Sequence, residues 1–188
     1  MRRSLALMSV FLFAACTQTP AATSPSPTTA TTVAPTVAAT PAPTPTSPIP
    51  AIPAAVAVEV PVIYSLTTAA GSVVRPEVAP QTGDASVTGR ADKFFGTTLE
   101  QILKDKGVEN AVVVGSAANG AVLYTTFGLS LRGFTVVVAQ DGISAEPEFP
   151  ITLTRWQLLN QPGFTNAENK PLSKGMVTLS TTDLITFK

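Results

Sequence analysis

From about residue 55 to Lys188 the hydrophobic pattern alternates between short β-branched runs and stretches of helical spacing. Residues 60–66, Val-Pro-Val-Ile-Tyr-Ser-Leu, read as a strand whose start is marked by Pro61. Thr97-Thr98-Leu99-Glu100 has the capping-box pattern, in which the Thr97 hydroxyl accepts from the amide three residues on and Glu100 reaches back. Leu99, Ile102 and Leu103 then share one face and Gly107 suits the position just past a helix end, so a helix is predicted over 98–106. Residues 110–114, Asn-Ala-Val-Val-Val, form an apolar run bounded by Gly115, as expected of a strand buried on both faces. A turn over 115–120 leads into helical spacing over 121–132, and Gly133 precedes a second buried strand over 134–139 that ends at Gln140-Asp141-Gly142. Strand, helix and strand joined by short turns make a right-handed βαβ unit, hence an α/β domain with a mostly parallel sheet. Leu153, Trp156 and Leu159 predict a further helix with Pro150 in its first turn, and 176–179 a last short strand.

Ahead of this domain the pattern changes twice. Arg2 and Arg3 precede an apolar run over 4–15, about a dozen residues, too short to span a bilayer as a permanent helix. Phe13-Ala14-Ala15-Cys16 resembles a bacterial lipobox, in which small residues enter a peptidase cleft and the thiolate takes the acyl-glycerol group. On that reading residues 1–15 are a lipoprotein signal peptide and Cys16 is the lipidated residue. The mature chain is then extracytoplasmic and anchored through lipid to a bacterial cell membrane. Residues 17–58 contain no charged and no aromatic side chain and are dominated by Thr, Ala, Pro and Ser. Such a stretch cannot bury enough apolar surface to offset its ordering entropy, so 16–54 reads as a disordered tether and 55–188 as a single domain.

Composition then removes function classes. Removing Arg2 and Arg3 from the 12 basic residues leaves 10 against 12 acidic ones, with no basic run, so nucleic acid has no electrostatic footprint here. The chain has no histidine, which excludes Ser-His-Asp and Cys-His catalysis and any His-ligated zinc. No metal or cofactor is expected. In a parallel sheet ligands bind outside the carboxyl ends of the strands, which makes Gly115, Ser116, Ala117, Ala118, Asn119, Gly120 and Ala121 the candidate binding turn, together with Asp141 in the 140–145 turn. The Gly115-to-Gly120 spacing is that of a phosphate-binding loop, but Ala121 and Val122 stand where Lys and Ser or Thr would have to reach phosphate and magnesium. Ser116 has no base nearby and reads as a turn residue, and a lone carboxylate such as Asp141 after a strand reads more readily as a turn cap than as a ligand group. Phe149 and Trp156, at helical positions, read as core rather than as a carbohydrate platform. Arg75 and Arg90 are the separated cations available to an anion.

Several of these segments carry a resemblance when read in order. Phe94-Phe95-Gly96-Thr97-Thr98-Leu99, the helix ending at Gly107, Val112-Val113-Val114-Gly115, Asn119-Gly120-Ala121-Val122, Thr125-Thr126, Arg132-Gly133-Phe134 and Val137-Val138-Ala139-Gln140-Asp141 together resemble the isochorismatase-like cysteine hydrolases, the superfamily that includes nicotinamidases. The resemblance runs from about residue 60 to 145. It implies a three-layer α/β/α fold around a central parallel sheet, and hydrolysis through an Asp-Lys-Cys triad. The family cysteine opens the helix after the turn, and that position is Ala121 here. The family lysine falls at Thr88 or Gly89, with Arg90 and Lys93 out of register, and the family aspartate ends a first strand for which 17–58 offers no carboxylate.

That first strand occupies the middle of the family's sheet. Residues 55–60 run straight into the 60–66 strand, whereas parallel neighbours need a crossover of about a dozen residues, so the domain is expected to lack its first strand. It would be rearranged, completed by another chain, which a second copy could supply, or truncated. The function expected is a membrane-anchored lipoprotein displaying a catalytically inactive isochorismatase-like domain that binds a small molecule or a protein partner. The alternative is a hydrolase of small amides working through a non-classical mechanism.

Overall fold

The computed structural model describes residues 7–13, 60–68 and 74–187. Its strands are β1 (Leu7–Phe13), β2 (Val62–Thr67), β3 (Ala85–Gly89), β4 (Val108–Ser116), β5 (Thr135–Ser144) and β6 (Val177–Ser180). They form one sheet in the order β3-β2-β1-β4-β5-β6, and every neighbouring pair is parallel. The helices are α1 (Leu99–Asp105), α2 (Leu123–Leu131) and α3 (Phe149–Asn160).

The centre of the sheet is occupied, which corrects the expectation of a missing first strand. β1 lies between β2 and β4, with Val10 opposite both Val62 and Val112 and Leu12 opposite Tyr64 and Val114. The strand comes from the apolar run over 4–15 rather than from the residues just before Val60. In the structure 48 residues separate β1 from β2, well above the dozen or so that a parallel crossover requires. The apolar run over 4–15 thus contributes a strand to the domain.

Alternation along the strands divides the core in two. Ile63, Val87, Ala111, Val113, Val136, Val138, Val177 and Leu179 face one way and pack with Leu99 and Leu103 of α1, Leu123 and Leu129 of α2 and Leu158 of α3. Leu99 and Leu103 are wholly buried, each contributing about 2 kcal/mol of apolar burial to hold a helix too short to be stable alone. Val62, Tyr64, Val112, Val114, Val137 and Ala139 face the other way, where Val74, Ile185 and Phe187 pack against them. All three described helices therefore lie against one face. The fold belongs to the expected α/β class with a central parallel sheet.

Two local expectations are revised. Thr97 and Glu100 do not form a reciprocal capping box: the Thr97 hydroxyl accepts from the Leu99 amide at 3.1 Å and donates to the Lys93 carbonyl, while Glu100 turns to Lys104 and Arg132. Phe149 and Trp156 are not core residues; they are 70% and 63% exposed. The inward stripe of α3 is Ile151, Thr154 and Leu158, and Phe149, Leu153 and Trp156 form a second apolar stripe with helical spacing of its own. Periodicity alone could not choose between them.

Candidate functional site at the carboxyl edge of the sheet

β4 delivers the 115–121 turn to the carboxyl edge. Gly115 has a φ of 120°, a conformation open to glycine, and the peptide between Ser116 and Ala117 is cis. One tight turn, Ala118–Val122, follows before α2, with the Gly120 and Val122 amides both donating to the Ala117 carbonyl, at 3.0 and 3.3 Å. Ala118 is buried in the core. Ala117 and Asn119 are exposed, and Gly115, Ser116, Gly120 and Ala121 are half-buried. The methyl group of Ala121 packs against the core beneath α2. A methyl there offers neither a nucleophile nor a proton acceptor.

Asp141 does not converge on this turn. β5 continues past the expected stop to Ser144, because pairing resumes beyond a bulge, with Gly115 opposite Ile143 and Ser116 opposite Ser144. Asp141 sits on that bulge and its carboxylate accepts from the Thr182 amide at 3.0 and 3.1 Å and from the Thr182 hydroxyl at 2.6 Å. Burial opposes its ionisation, but the Thr182 hydroxyl and amide, its own backbone amide and the charge of Arg155 outweigh it, leaving the pKa below the usual carboxylate value. Asp141 is a clamp on the C-terminal segment. The 140–145 turn of the sequence reading is a strand with a bulge.

The edge holds a cation that sequence register had set aside. Lys93 is 1% exposed, and its ammonium donates to the Leu66 carbonyl at 2.7 Å and the Gly89 carbonyl at 3.0 Å, groups on β2 and β3 at their carboxyl ends. The family lysine was expected at Thr88 or Gly89. Here the backbone of Lys93 lies several residues further on, yet its long side chain returns the charge to the end of β3.

The 91–97 loop is held in place by α2. The Lys93 amide donates to the Thr125 hydroxyl at 3.3 Å, and that hydroxyl donates to the Ala91 carbonyl at 3.3 Å. The Phe94 amide donates to Asp92 at 2.9 Å, and the Arg132 guanidinium lies 4.0 Å over the Phe94 ring. Gly128 lets this loop approach, since a Cβ there would stand 2.6 Å from the ring. The signal available in the sequence was a lysine between Asp92 and two phenylalanines, inside the segment that carried the resemblance.

Ser65 was also missed. It is 2% exposed at the β2 end of the same edge, opposite Phe13 of β1, and among the described residues its hydroxyl has no hydrogen-bond partner. Thr88 is exposed on β3, and so are Arg75 and Arg90, on separate segments. Cys16 lies outside the described residues.

Two open clefts lie elsewhere. One of about 490 Å³ is lined by residues including Asn166, Lys170 and Met176, and one of about 370 Å³ by residues including Val108, Arg132 and Thr135. Val108 and Thr135 start their strands and Met176 precedes β6, so both clefts belong to the amino edge. The carboxyl edge remains the site that a parallel sheet favours for ligands.

A parallel sheet in this order, with a glycine-framed turn leading from β4 into α2, defines an isochorismatase-like α/β fold. Residues 50–158 match the Isochorismatase domain family, more than half of the chain, and the chain belongs to that family. A ureidoacrylate amidohydrolase of Pseudomonas syringae is 37% identical over 75 residues, which cover 39% of this chain and 31% of that one. The corresponding protein of Stutzerimonas stutzeri is 40% identical over 75 residues, 39% of this chain and 30% of its own. The chain thus spans under a third of the length of these curated relatives. Among solved structures, an isochorismatase family protein from Desulfovibrio vulgaris superposes with a TM-score of 0.57 at 16% identity, covering 69% of this chain and 76% of that one. The N-carbamoylsarcosine amidase of Thermoplasma acidophilum gives 0.56 at 20% identity, covering 70% and 78%.

Proposed function

We propose that this chain is a lipid-anchored, extracytoplasmic member of the isochorismatase family whose domain binds a small molecule or a protein partner without hydrolysing it. The observation that carries the reading is Ala121, a methyl group at the position where the resemblance assigns the nucleophilic cysteine, in a chain whose only cysteine is Cys16. Absence of an acidic residue before Glu59 adds to it, because β1 then has no carboxylate to accept a thiol proton. Loss of a nucleophile in a concerted triad costs roughly 10⁴- to 10⁶-fold in rate, and the remaining members then contribute little. Attachment through Cys16 rests on the lipobox-like Phe13-Ala14-Ala15-Cys16.

A second reading, hydrolysis of small amides by a relocated mechanism, has one feature in its favour. Lys93 supplies an ammonium at the edge where the family lysine works, and the curated relatives are amidohydrolases. The test is ammonia release by the full chain from ureidoacrylate, N-carbamoylsarcosine and nicotinamide. Rates equal to the uncatalysed background are expected. Turnover that disappears when Ser116 or Asn119 is changed to alanine would establish the hydrolase instead.

A further inference from the structure

The segment that forms the central strand is also the apolar core of the leader. β1, Leu7–Phe13, pairs with β2 through four residues, Val10 to Phe13, and with β4 from Leu7 to Leu12. Among the described residues it supplies the only strand pairing between the β3-β2 pair and the β4-β5-β6 triplet. Across that seam the described residues hold only side-chain and loop contacts, such as Lys93 to Thr125 and Arg132 to Glu100. Cleavage before Cys16 would remove every residue of β1.

We propose that the slot between β2 and β4 is a strand-binding site whose occupant is this chain's own residues 7–13, so that completion of the sheet and removal of the leader exclude each other. The cleavage half of this statement rests on the reading of Cys16 as the lipidated residue. In the unprocessed chain the facing backbone groups of β2 and β4 are paired. After processing, the Val62–Ser65 side of β2 and the 110–114 side of β4 become two facing open edges, which cost free energy when buried and unpaired and template an added strand when exposed. The slot has a definite specificity: it takes an extended apolar segment of about seven residues, parallel to both neighbours.

Hydrogen exchange separates the cases. In the full chain carrying Cys16→Ala, which cannot be lipidated and is checked by intact mass to be uncut, the amides of 62–65 and 111–114 are expected to exchange slowly. Val10→Pro in that background, which removes a ladder donor in the middle of β1, is expected to speed exchange on both strands by at least about tenfold, while Thr19→Pro, outside β1, leaves it unchanged. Wild-type chain recovered from a lipoprotein-processing host is expected to exchange fast at the same amides, and a synthetic peptide of residues 2–14 is expected to slow them again. Equal protection in the cut and uncut chains, or no effect of Val10→Pro, would overturn the proposal. If intact mass shows the wild-type chain uncut at Cys16, the anchor reading fails, and the Val10→Pro comparison still decides the strand.

Discussion

Gly128→Ala tests the packing that positions Lys93. In an unobstructed helix the change would stabilise the protein by about 1 kcal/mol, because alanine loses less backbone entropy on folding than glycine. Here the new Cβ would stand 2.6 Å from Phe94 Cδ2, 3.0 Å from Cε2 and 3.3 Å from an Asp92 carboxylate oxygen. Phe94 cannot yield freely: its ring is 8% exposed and lies beneath Arg132, and its amide is tied to Asp92. Overpacking of this kind costs about 1–3 kcal/mol, so it cancels the helix gain and the variant is expected to lose up to about 2 kcal/mol. In a domain of this size that lowers the melting temperature by up to roughly 10 °C, read by circular dichroism on the full chain and confirmed by urea titration at an unchanged slope. Phe94→Leu makes room, so the double variant should be more stable than the sum of the two single effects predicts, by at least about 0.5 kcal/mol. A Gly128→Ala protein stabilised by the full helix-propensity gain would refute the close approach and, with it, the account of how the 91–97 loop is docked.

Two further outcomes concern charged side chains. Lys93→Met keeps most of the side-chain volume but withdraws the donor from the Leu66 and Gly89 carbonyls; the unpaired acceptors outweigh the relief of burying a charge, and a loss of about 2–3 kcal/mol is expected by chemical denaturation. Glu100, held down to a pKa of about 2 by the hydrogen bonds of Lys104 and then of Arg132, binds fewer protons when folded than when unfolded, so its contribution is complete above its ordinary value of 4.5 and is lost as pH falls toward 2. Because the pair is exposed, this acid limb should be small and flattened by 1 M salt, and Glu100→Gln should abolish it in pH-resolved melts.

The residues that carry most of the fold were legible because their signals are local. Continuous valine runs bounded by glycine marked β4 and the start of β5, and the Leu99, Ile102, Leu103 spacing with Gly107 beyond marked α1. What escaped depended on reach. Lys93 lies out of register along the chain, but a four-carbon side chain carries its charge back to Gly89. Asp141 stands where a strand was expected to stop, and only a re-registered pairing with Gly115 and Ser116 keeps the strand going. The two apolar stripes of α3 have equivalent spacing, so their burial was decided by which one met the sheet.

By itself the sequence determined the α/β class, the parallel βαβ unit and the absence of any histidine in the chain, since each follows from residue type and short-range spacing. Only the tertiary structure decided what fills the middle of the sheet. Leu7–Phe13 reads equally well as a leader or as a buried strand, because both environments select the same short apolar run, and its place in the sheet is set by backbone partners more than fifty residues away on β2 and about a hundred away on β4.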